Sequence, residues 1–455
     1  MSSAAGKHVN IIGAGLAGAL LAVLLARRGL AVTLHERRPD PRQAAPERGR
    51  SINLALAARG IRALEQAGVM QQVRPLMIAM RGRMVHERSG ASALQPYGQR
   101  EHEVIYSVGR ADLNRVLIEE ALRHPNVTVR FNQQCTGVDT RGNRLRLRDA
   151  VSGTEHELDL APAIATDGAG SAVRASLAAG GQVTVREQWL DHDYKELTVP
   201  PLAGRPALEA HALHIWPRGG FMLIALPNTD ASFTATLFLA RAGAQGFASL
   251  GGGAAVARFF AEQFPDAVPL LPHLLAEFAQ HPQGQLGTVH TAPWQLEGKV
   301  LLLGDAAHAI VPFHGQGMNA AFEDCRVLDE LLDQHEDWEM LFAELERARR
   351  PNTEAIAQMA LENYIEMRDT VLDARFLRLK ALGLTLERRF PDRFIPRYSM
   401  VMFHPEIPYA EALRRGRVQA QLLEELDPGE GAATGAGPDL SRAEQLIRER
   451  LPPIA

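Results

Sequence analysis

The sequence is poor in cysteine and close to neutral in charge. Two cysteines, Cys135 and Cys325, occur among its 455 residues, and the formal net charge is −4. Cysteines so few and so far apart exclude a disulfide framework and a cysteine-rich zinc site, and they favour a reducing compartment such as the cytoplasm. Without an excess of basic residues, the chain also lacks the electrostatic footprint of a nucleic-acid-binding protein.

Long apolar runs and metal-ligand clusters are scarce as well. A run from Val9 to Ala26 follows Lys7 in the manner of a signal peptide, but regularly spaced glycines interrupt it. No other stretch reaches the ~18 apolar residues of a transmembrane helix, so we predict a soluble protein with no membrane partner. No group of potential metal ligands has the spacing of a binding site, so no metal is expected.

What the chain does contain, near its N-terminus, is a glycine-rich turn between a strand and a helix. Val9–Ile12 is predicted to be a short buried strand, Ala19–Arg28 consists of helix formers, and Leu30–His35 is a second strand. The letters GAGLAG join the first strand to the helix. Strand, turn, helix and strand in this order are typical of a dinucleotide-binding unit.

Each residue of this motif has a physical task. Gly13 permits the tight turn, Gly15 lets a pyrophosphate approach the backbone, and Gly18 lets helix and strand pack closely. Glu36 ends the second strand, where a carboxylate accepts hydrogen bonds from a ribose and would repel a 2′-phosphate. This first site is therefore expected to hold FAD or NAD, and not NADP.

Two later motifs favour FAD. Asp167-Gly168 and Gly304-Asp305 each follow a strand-like run, and a helix is predicted to begin near Gly317. An NAD dehydrogenase has no need of these motifs, whereas FAD needs contacts along its ribityl chain. Asp305 can accept from ribityl hydroxyls, and the N-terminus of the following helix can stabilise the negative charge of reduced flavin.

The predicted fold is α/β with an α+β insert, that is, a Rossmann-like FAD-binding domain, an antiparallel-sheet substrate domain and a C-terminal helical region. The alternating pattern of residues 209–240 supports the antiparallel sheet. No second glycine fingerprint follows a strand, so no separate NAD(P)H domain is expected. The predicted units are an FAD-binding domain in three segments (1–75, 106–180 and 291–350), a substrate domain in two (76–105 and 181–290), a C-terminal helical region (351–426) and a flexible tail (427–455) with a linker at Asp427–Ser441.

Polar residues in apolar surroundings are candidates for substrate binding. Arg83 and Tyr97 lie in one such segment, and Asn363 shares a predicted helix face with Ile356, Ala360 and Met367. Each also has a structural interpretation, as a surface arginine, a core tyrosine or a hydrogen-bonded core asparagine. Taken singly, none of them decides a substrate.

The order of the three flavin motifs resembles the FAD-dependent aromatic hydroxylases of the para-hydroxybenzoate hydroxylase-like group. Within that group the chain is most similar to the kynurenine 3-monooxygenase family. The matching stretches include "MRGRMVH" at Met80, "LQPYG" at Leu94, "VPFHGQGMNAAFEDC" at Val311, "MALENYIEM" at Met359 and "RFIPRYSM" at Arg393.

The resemblance implies roles for individual residues. It implies that Arg83 and Tyr97 hold the carboxylate of L-kynurenine, that Asn363 and Tyr398 bind its amino-acid end, and that no side chain is a certain catalytic residue. Phe313, His314 and Gln316 are expected to act by positioning at the flavin edge, although many family members have an aromatic residue where this chain has His314. The expected FAD contacts are Gly13, Gly15, Ala17, Gly18, Glu36, Arg37, Arg38, Ala55, Arg110, Asp167, Gly168, Asp305, Gly317, Met318 and Asn319.

The activity implied by the resemblance is hydroxylation of L-kynurenine to 3-hydroxy-L-kynurenine through a flavin C4a-hydroperoxide, with NADPH as a transient reductant and O2 as co-substrate. A homodimer is a possible assembly, and a soluble, cytoplasmic protein is expected. An acid–base role for His308 or His314 is disfavoured, and His308 is expected to cap a local hydrogen-bond network. The alternatives are a flavin hydroxylase of another aromatic acid, a flavin reductase or halogenase, and an FAD-binding protein without oxygenase activity.

Overall fold

The structure, a computed structural model, describes residues 7–43, 53–427, 429 and 439–454. Strands fall into one parallel sheet, one large mixed sheet and two small antiparallel sheets. The strands are β1 (His8–Ile12), β2 (Ala31–His35), β3 (Asn53–Leu56), β4 (Ile78–Met80), β5 (Gly82–His86), β6 (Ser92–Pro96), β7 (Ile105–Gly109), β8 (Val127–Arg130), β9 (Gln133–Asp139), β10 (Arg144–Asp149), β11 (Glu155–Asp159), β12 (Ala163–Ala165), β13 (Thr184–Val199), β14 (Leu213–Pro217), β15 (Met222–Pro227), β16 (Phe233–Ala240), β17 (Gln283–Ala292), β18 (Gln295–Leu296) and β19 (Val300–Leu302).

Helices cover the parallel sheet and form the C-terminal part of the molecule. None of the helices in the described ranges is both long enough and apolar enough to cross a membrane. The helices are α1 (Leu16–Arg27), α2 (Ala58–Ala67), α3 (Met70–Val73), α4 (Arg110–Leu122), α5 (Ala172–Ala179), α6 (Gly253–Gln263), α7 (Leu274–Gln280), α8 (Asp305–His308), α9 (Gly317–Leu331), α10 (Trp338–Ile365), α11 (Ala374–Arg389), α12 (Arg397–Phe403), α13 (Tyr409–Leu426) and α14 (Leu440–Arg450).

The parallel sheet brings the three predicted flavin motifs to one edge. Its strand order is β18-β19-β12-β1-β2-β8, with β19 to β8 parallel and β18 antiparallel. Ile12 pairs with Ala165, and Ala165 pairs with Leu302. Because parallel strands end on the same side of a sheet, the turns that follow β1, β12 and β19 lie next to one another. The predicted Rossmann-like unit is confirmed.

The seven-stranded sheet is the predicted antiparallel unit. Its order is β17-β13-β16-β15-β14-β5-β6, and every neighbouring pair is antiparallel except β14 with β5. The strands expected between residues 209 and 240 are β14, β15 and β16. One face of this sheet packs on α6 and α7 through buried aromatic side chains, among them Phe233, Phe260 and Phe264.

The C-terminal helices cover the junction between the two sheets. Helix α10 continues into a single π-helical turn, Glu366–Thr370, of the kind often found at functional sites. The predicted inner face of this helix is confirmed, since Ile356, Ala360, Asn363 and Met367 are all buried.

The end of the chain differs from the flexible tail predicted for residues 427–455. Residues 440–450 form α14, whose Ala443 and Ile447 pack on Leu386 and Leu422, because every third or fourth residue of this segment is apolar. Most of the predicted linker at residues 427–441 lies outside the described residues.

Candidate active site

The turn between β1 and α1 leaves no room for side chains at two of its glycines. Gly13 has a φ of +98°, and a Cβ there would lie 2.8 Å from the carbonyl oxygen of Thr166. A Cβ on Gly18 would lie 2.0 Å from the carbonyl oxygen of Gly13. Gly15 instead faces open space and, with Ala17, lines a large cavity. The first and third glycines therefore serve packing, and the second leaves the backbone open to a ligand.

Glu36 follows β2 and is buried beside this turn. Its Oε2 accepts a hydrogen bond from the backbone N–H of Ala14 at 2.9 Å, and its Oε1 accepts from Nε of Arg38 at 2.8 Å. Burial opposes ionisation, but the hydrogen bonds from Arg38 and Ala14 hold the pKa of Glu36 below its usual range. The carboxylate is therefore charged and fixed in place, whereas the neighbouring Arg37 is exposed.

The large cavity, about 1090 Å³ in volume, lies between the motif edge of the parallel sheet and strands β13 and β17. Its volume and its position between two domains are those of a cofactor site. The predicted cofactor residues that line it are Gly15, Ala17, Ala55, Arg110, Gly168, Asp305, Gly317 and Met318. Those outside its lining are Gly13, Gly18, Glu36, Arg37, Arg38, Asp167 and Asn319.

Two carboxylates in or beside the cavity have oxygens without a hydrogen-bond partner among the residues that the structure describes. Asp305 begins α8 and lines the cavity, and its carboxylate makes no hydrogen bond to any residue that the structure describes. Asp167 accepts from the backbone N–H of Ala172 at 2.8 Å through Oδ2, while its buried Oδ1 has no partner there. Burial raises the pKa of Asp167. Each feature fits one part of FAD. The unpaired carboxylate oxygens fit its hydroxyl groups, the glycine turn fits its pyrophosphate, and the N-terminus of α9 fits its ring.

Asn319 supports the cavity wall from behind. Its Oδ1 accepts from the backbone N–H of Ala57 at 2.9 Å, and its Nδ2 donates to the carbonyl oxygens of Ala55 and Gly315, each at 2.8 Å. Both N–H groups of this amide, and one acceptor position of its oxygen, are therefore used by the protein backbone. A contact between Asn319 and the cofactor stays a prediction. These hydrogen bonds tie the start of α9 to the strand β3.

A buried polar network holds α8 against α9 and α10. Nε2 of His308 lies 2.6 Å from Oδ2 of Asp324, and Nε of Arg349 donates to Oδ1 of the same carboxylate at 2.7 Å. This is the kind of local network expected for His308. Because α8 begins at Asp305, the network sets the position of that residue relative to the N-terminus of α9.

A second group of polar side chains lies beyond the cavity, and we call Arg83, Tyr97, Asn363, Glu366 and Tyr398 the Arg83 cluster. Nη1 of Arg83 donates to Oε1 of Glu366 at 3.0 Å, and Nη2 donates to Oδ1 of Asn363 at 3.3 Å. The guanidinium carbon lies 5.1 Å from the ring centroid of Tyr398 and 5.9 Å from that of Tyr97. The four predicted substrate residues therefore meet in space, although they come from three distant parts of the chain.

The aromatic members of the Arg83 cluster keep their protons. The rings of Tyr97 and Tyr398 stack with their centroids 5.5 Å apart. Burial raises the pKa of Tyr97 to about 12 and raises that of Tyr398 well above its ordinary value. Both hydroxyls are therefore neutral at physiological pH and can donate hydrogen bonds to an anion.

Glu366 is the member of this cluster that sequence reasoning missed. It lies in the quoted "ENYIEM" stretch, three residues after Asn363, and so on the same helix face. That spacing could have indicated a role for Glu366, because an acid on the same helix face as Asn363 can form an ion pair with Arg83. Its side chain is 27% exposed, in contrast to 7% for that of Arg83, so the ion pair is reachable from outside.

The segment from Pro312 to Gly317 separates the large cavity from the Arg83 cluster. Pro312 and Gly315 line the cavity. Phe313 stacks on Tyr364 at 3.9 Å, and its carbonyl oxygen accepts from Nδ2 of Asn363 at 2.6 Å. One short segment thus contacts both sites.

His314 and Gln316 differ in the direction of their side chains. The ring of His314 stacks on Tyr398 at 5.4 Å, and burial lowers its pKa to about 3, so the imidazole is neutral. Gln316 points instead toward the C-terminal helices, where its Oε1 accepts from the hydroxyl of Tyr409 at 2.6 Å. Gln316 therefore ties the segment to α13, whereas His314 contacts the Arg83 cluster.

The whole chain is similar in sequence to named proteins. The model of the FAD binding domain family matches residues 7–359. The chain is 48% identical over 453 residues to kynurenine 3-monooxygenase of Stenotrophomonas maltophilia (strain K279a), covering 99% of both chains. It is also 48% identical over 461 residues to the enzyme of that name from Xanthomonas campestris pv. campestris (strain 8004), covering 100% of this chain and 99% of the relative.

This chain belongs to the kynurenine 3-monooxygenase family. FAD is therefore its cofactor, in agreement with the unpaired acceptors of the large cavity. The match with the family extends over the whole length and so includes the Arg83 cluster and the C-terminal helices.

Solved structures show the same fold at lower sequence identity. The tetrameric form of 2-methyl-3-hydroxypyridine-5-carboxylic acid oxygenase superposes with a TM-score of 0.64 at 20% identity, over 85% of this chain and 96% of that one. P. aeruginosa PqsL in complex with 2-aminobenzoylacetate gives a TM-score of 0.63 at 21% identity, over 80% and 97%. These likenesses confirm the FAD-binding domain combined with an antiparallel-sheet domain.

Proposed function

We propose that this chain is an FAD-dependent monooxygenase that converts L-kynurenine to 3-hydroxy-L-kynurenine with NADPH and O2. One observation carries the choice of substrate: a buried guanidinium, flanked by two neutral tyrosines and paired with a reachable acid, faces the segment that walls the cofactor cavity. A guanidinium pairs bidentately with a carboxylate, and an aromatic amino acid presents a carboxylate, an ammonium and a ring. Relatives that carry the name kynurenine 3-monooxygenase support the same choice.

In this proposal the motifs at the sheet edge hold FAD. The turn at Gly15 receives the pyrophosphate, Glu36 and Asp305 accept from hydroxyl groups, and the N-terminus of α9 at Gly317 faces the ring. When bound, FAD supplies hydride acceptance from NADPH and the activation of O2. The chain's part is to orient the two reactants and to exclude water between them.

The Arg83 cluster binds the amino-acid end of the substrate. Arg83 and Tyr97 hold the carboxylate, while Asn363 and Tyr398 complete the polar wall. Glu366 accepts a hydrogen bond from Nη1 of Arg83, so a carboxylate that binds this edge of the guanidinium competes with Glu366. The displaced acid is then placed to pair with the substrate ammonium.

Phe313 and His314 lie at the boundary between the Arg83 cluster and the cofactor cavity. Both side chains are buried, and His314 is neutral. In this proposal the segment shapes the pocket and excludes water, and it does not act as an acid. Packing of Phe313 on Tyr364 and of His314 on Tyr398 links the position of this segment to the Arg83 cluster.

The test is substrate-stimulated oxidation of NADPH by the FAD-loaded protein, measured with a panel of aromatic amino acids and acids. L-Kynurenine should stimulate oxidation most, and mass spectrometry should find a product heavier by one oxygen atom with the hydroxyl at position 3. Stimulation by another aromatic acid in preference to kynurenine would support the hydroxylase alternative. Bound flavin without any stimulation would support an FAD-binding protein that is not an oxygenase.

The proposal extends to location and assembly. We expect a cytoplasmic protein, with a homodimer as one possible assembly; cell fractionation would test the location, and sedimentation equilibrium would test the assembly. Sedimentation as a monomer at micromolar concentration would remove the dimer from the proposal and leave the activity unaffected.

A further inference from the structure

Lys380 brings a second basic group to the Arg83 cluster. It lies on α11, and its Nζ is 3.5 Å from Oε1 of Gln95 on strand β6. Gln95 is the register partner of Arg83 across the β5–β6 pair. The ammonium therefore approaches Arg83 from the side of the neighbouring strand, with a neutral amide as its hydrogen-bond partner.

The charges around this ammonium do not balance. The charged groups whose fields reach it are Arg83, which disfavours its charge, and Glu366, which favours it. Tyr97 and Tyr398 are neutral, as is His314. Two cations thus face one acid, and that acid is already paired with Arg83 at 3.0 Å.

Other acids that form ion pairs at α11 have arginine partners of their own. They form two ion pairs toward α13 and one group at the far end of the helix, namely Arg375–Glu424 (3.4 Å), Arg378–Asp427 (2.8 Å) and Arg100 with Glu103 and Glu387. None of them supplies the charge that is missing beside Lys380. Burial, and after it the charge of Arg83, lower the pKa of Lys380 to about 8.

We propose that Lys380 is a specificity-determining residue that binds the substrate carboxylate together with Arg83, so that the anion supplies the missing negative charge. The inference rests on the proposed function and deepens it. A carboxylate that displaces Glu366 from Arg83 enters a site with two cations. The ammonium of an amino acid pairs with the released Glu366, so the carboxylate is left to the two cations, Arg83 and Lys380.

The consequence is a pH dependence that only a lysine would produce. An arginine stays charged at any working pH, whereas a lysine with a pKa near 8 loses its proton just above neutrality. Affinity for a carboxylate ligand should therefore fall as the pH rises above about 8, by about tenfold between pH 7 and pH 9.

The experiment measures ligand binding to the FAD-loaded protein by the change in flavin absorbance, without turnover. The probes are 4-(2-aminophenyl)-4-oxobutanoate, which has the carboxylate of kynurenine but no titrating α-amine, and kynurenamine, which has the amine but no carboxylate. The variants are Lys380→Met and Lys380→Arg, with Lys299→Met as the matched control, because Lys299 is bound to Glu297 at the surface.

The expected results differ between variants and between probes. Lys380→Met should bind the carboxylate probe about 10- to 100-fold more weakly at pH 7, with no change between pH 7 and 9, and should bind kynurenamine as the wild type does. Lys380→Arg should retain affinity and lose the pH dependence. Lys299→Met should reproduce the wild type throughout.

Two outcomes would overturn the inference while leaving the proposed function intact. One is a wild-type protein that prefers kynurenine to kynurenamine and whose preference survives in Lys380→Met. The other is an equal loss of affinity for both probes, which would show a structural lysine. A wild-type protein that binds neither kynurenine nor the carboxylate probe would instead refute the proposed function and the inference together.

Discussion

The large cavity and the Arg83 cluster are built from different parts of the polypeptide. Glycine turns, a helix N-terminus and strand ends make the cavity, and the carboxylate of Asp305 in its lining accepts no hydrogen bond from the residues that the structure describes. The Arg83 cluster consists of long side chains that already bind one another. The polar groups of the first site are available to a ligand, whereas those of the second are already hydrogen-bonded to one another. Under the proposed function, we expect cofactor affinity to depend on backbone fit, and substrate affinity to depend on a competition between charges.

The largest effect is expected at Gly18, in the glycine turn of the cofactor cavity. Gly18→Ala places a Cβ 2.0 Å from the carbonyl oxygen of Gly13, so the FAD-free protein should lose about 1–3 kcal/mol or more of its free energy of unfolding and should purify without flavin. Gly15→Ala is the matched control, because its Cβ meets nothing within 4 Å. That variant should keep the wild-type Tm in the FAD-free form and should still bind FAD weakly. Equal Tm values for both FAD-free variants would contradict this account.

Within the Arg83 cluster, we expect substrate binding to depend most on Arg83 itself. Arg83→Ala should weaken kynurenine binding at least ~10²-fold, because truncating one partner of a buried charged pair costs about 2–5 kcal/mol. Arg83→Lys should fall between, since it keeps the charge and loses the planar fork. Flavin content should stay at the wild-type level in both, as measured by absorbance. Loss of FAD from either variant would show that the two sites are not separable.

A smaller effect is expected at Asp305. Asp305→Ala removes an unpaired carboxylate from the cavity wall, so FAD should bind about 10- to 150-fold more weakly, the range of one or more charge-assisted hydrogen bonds. Asp159→Ala, a change at an exposed residue of β11, serves as the control. Equilibrium dialysis of FAD against both variants would measure the difference. Stoichiometric, tight FAD in Asp305→Ala would remove this residue from the cofactor site.

The smallest effect has the opposite sign. Glu366→Gln removes the internal competitor for Arg83, so a ligand that carries a carboxylate but no ammonium should bind up to about fivefold more tightly, as expected for a partly exposed ion pair. Kynurenine itself should gain less or lose affinity, because its ammonium loses a partner. Titration of both ligands in wild type and variant separates the two contributions. Weaker binding of the ligand that lacks the ammonium would show that Glu366 does not compete for the guanidinium.

The cofactor side was largely predictable because its signals are local. Gly13, Gly15 and Gly18 lie within one turn, and Asp167 and Asp305 each follow a short apolar strand, so spacing alone indicates their chemistry. Asn319 shows the limit of such reasoning. It lies in the predicted cofactor segment, but its amide is bound to the backbone of β3 and of the turn before α9. Sequence position does not tell which way a side chain points.

The sequence by itself determined the fold class, the cofactor and the family, because strand ends, glycine turns and helix starts are set by neighbouring residues. Only the tertiary structure decided which charges face one another. Arg83, Glu366 and Lys380 lie on a strand, a π-helical turn and a separate helix, and their meeting depends on how the C-terminal helices pack over the sheet. The same packing turned residues 440–450 into an ordered helix, since apolar side chains found a surface there that local composition cannot reveal.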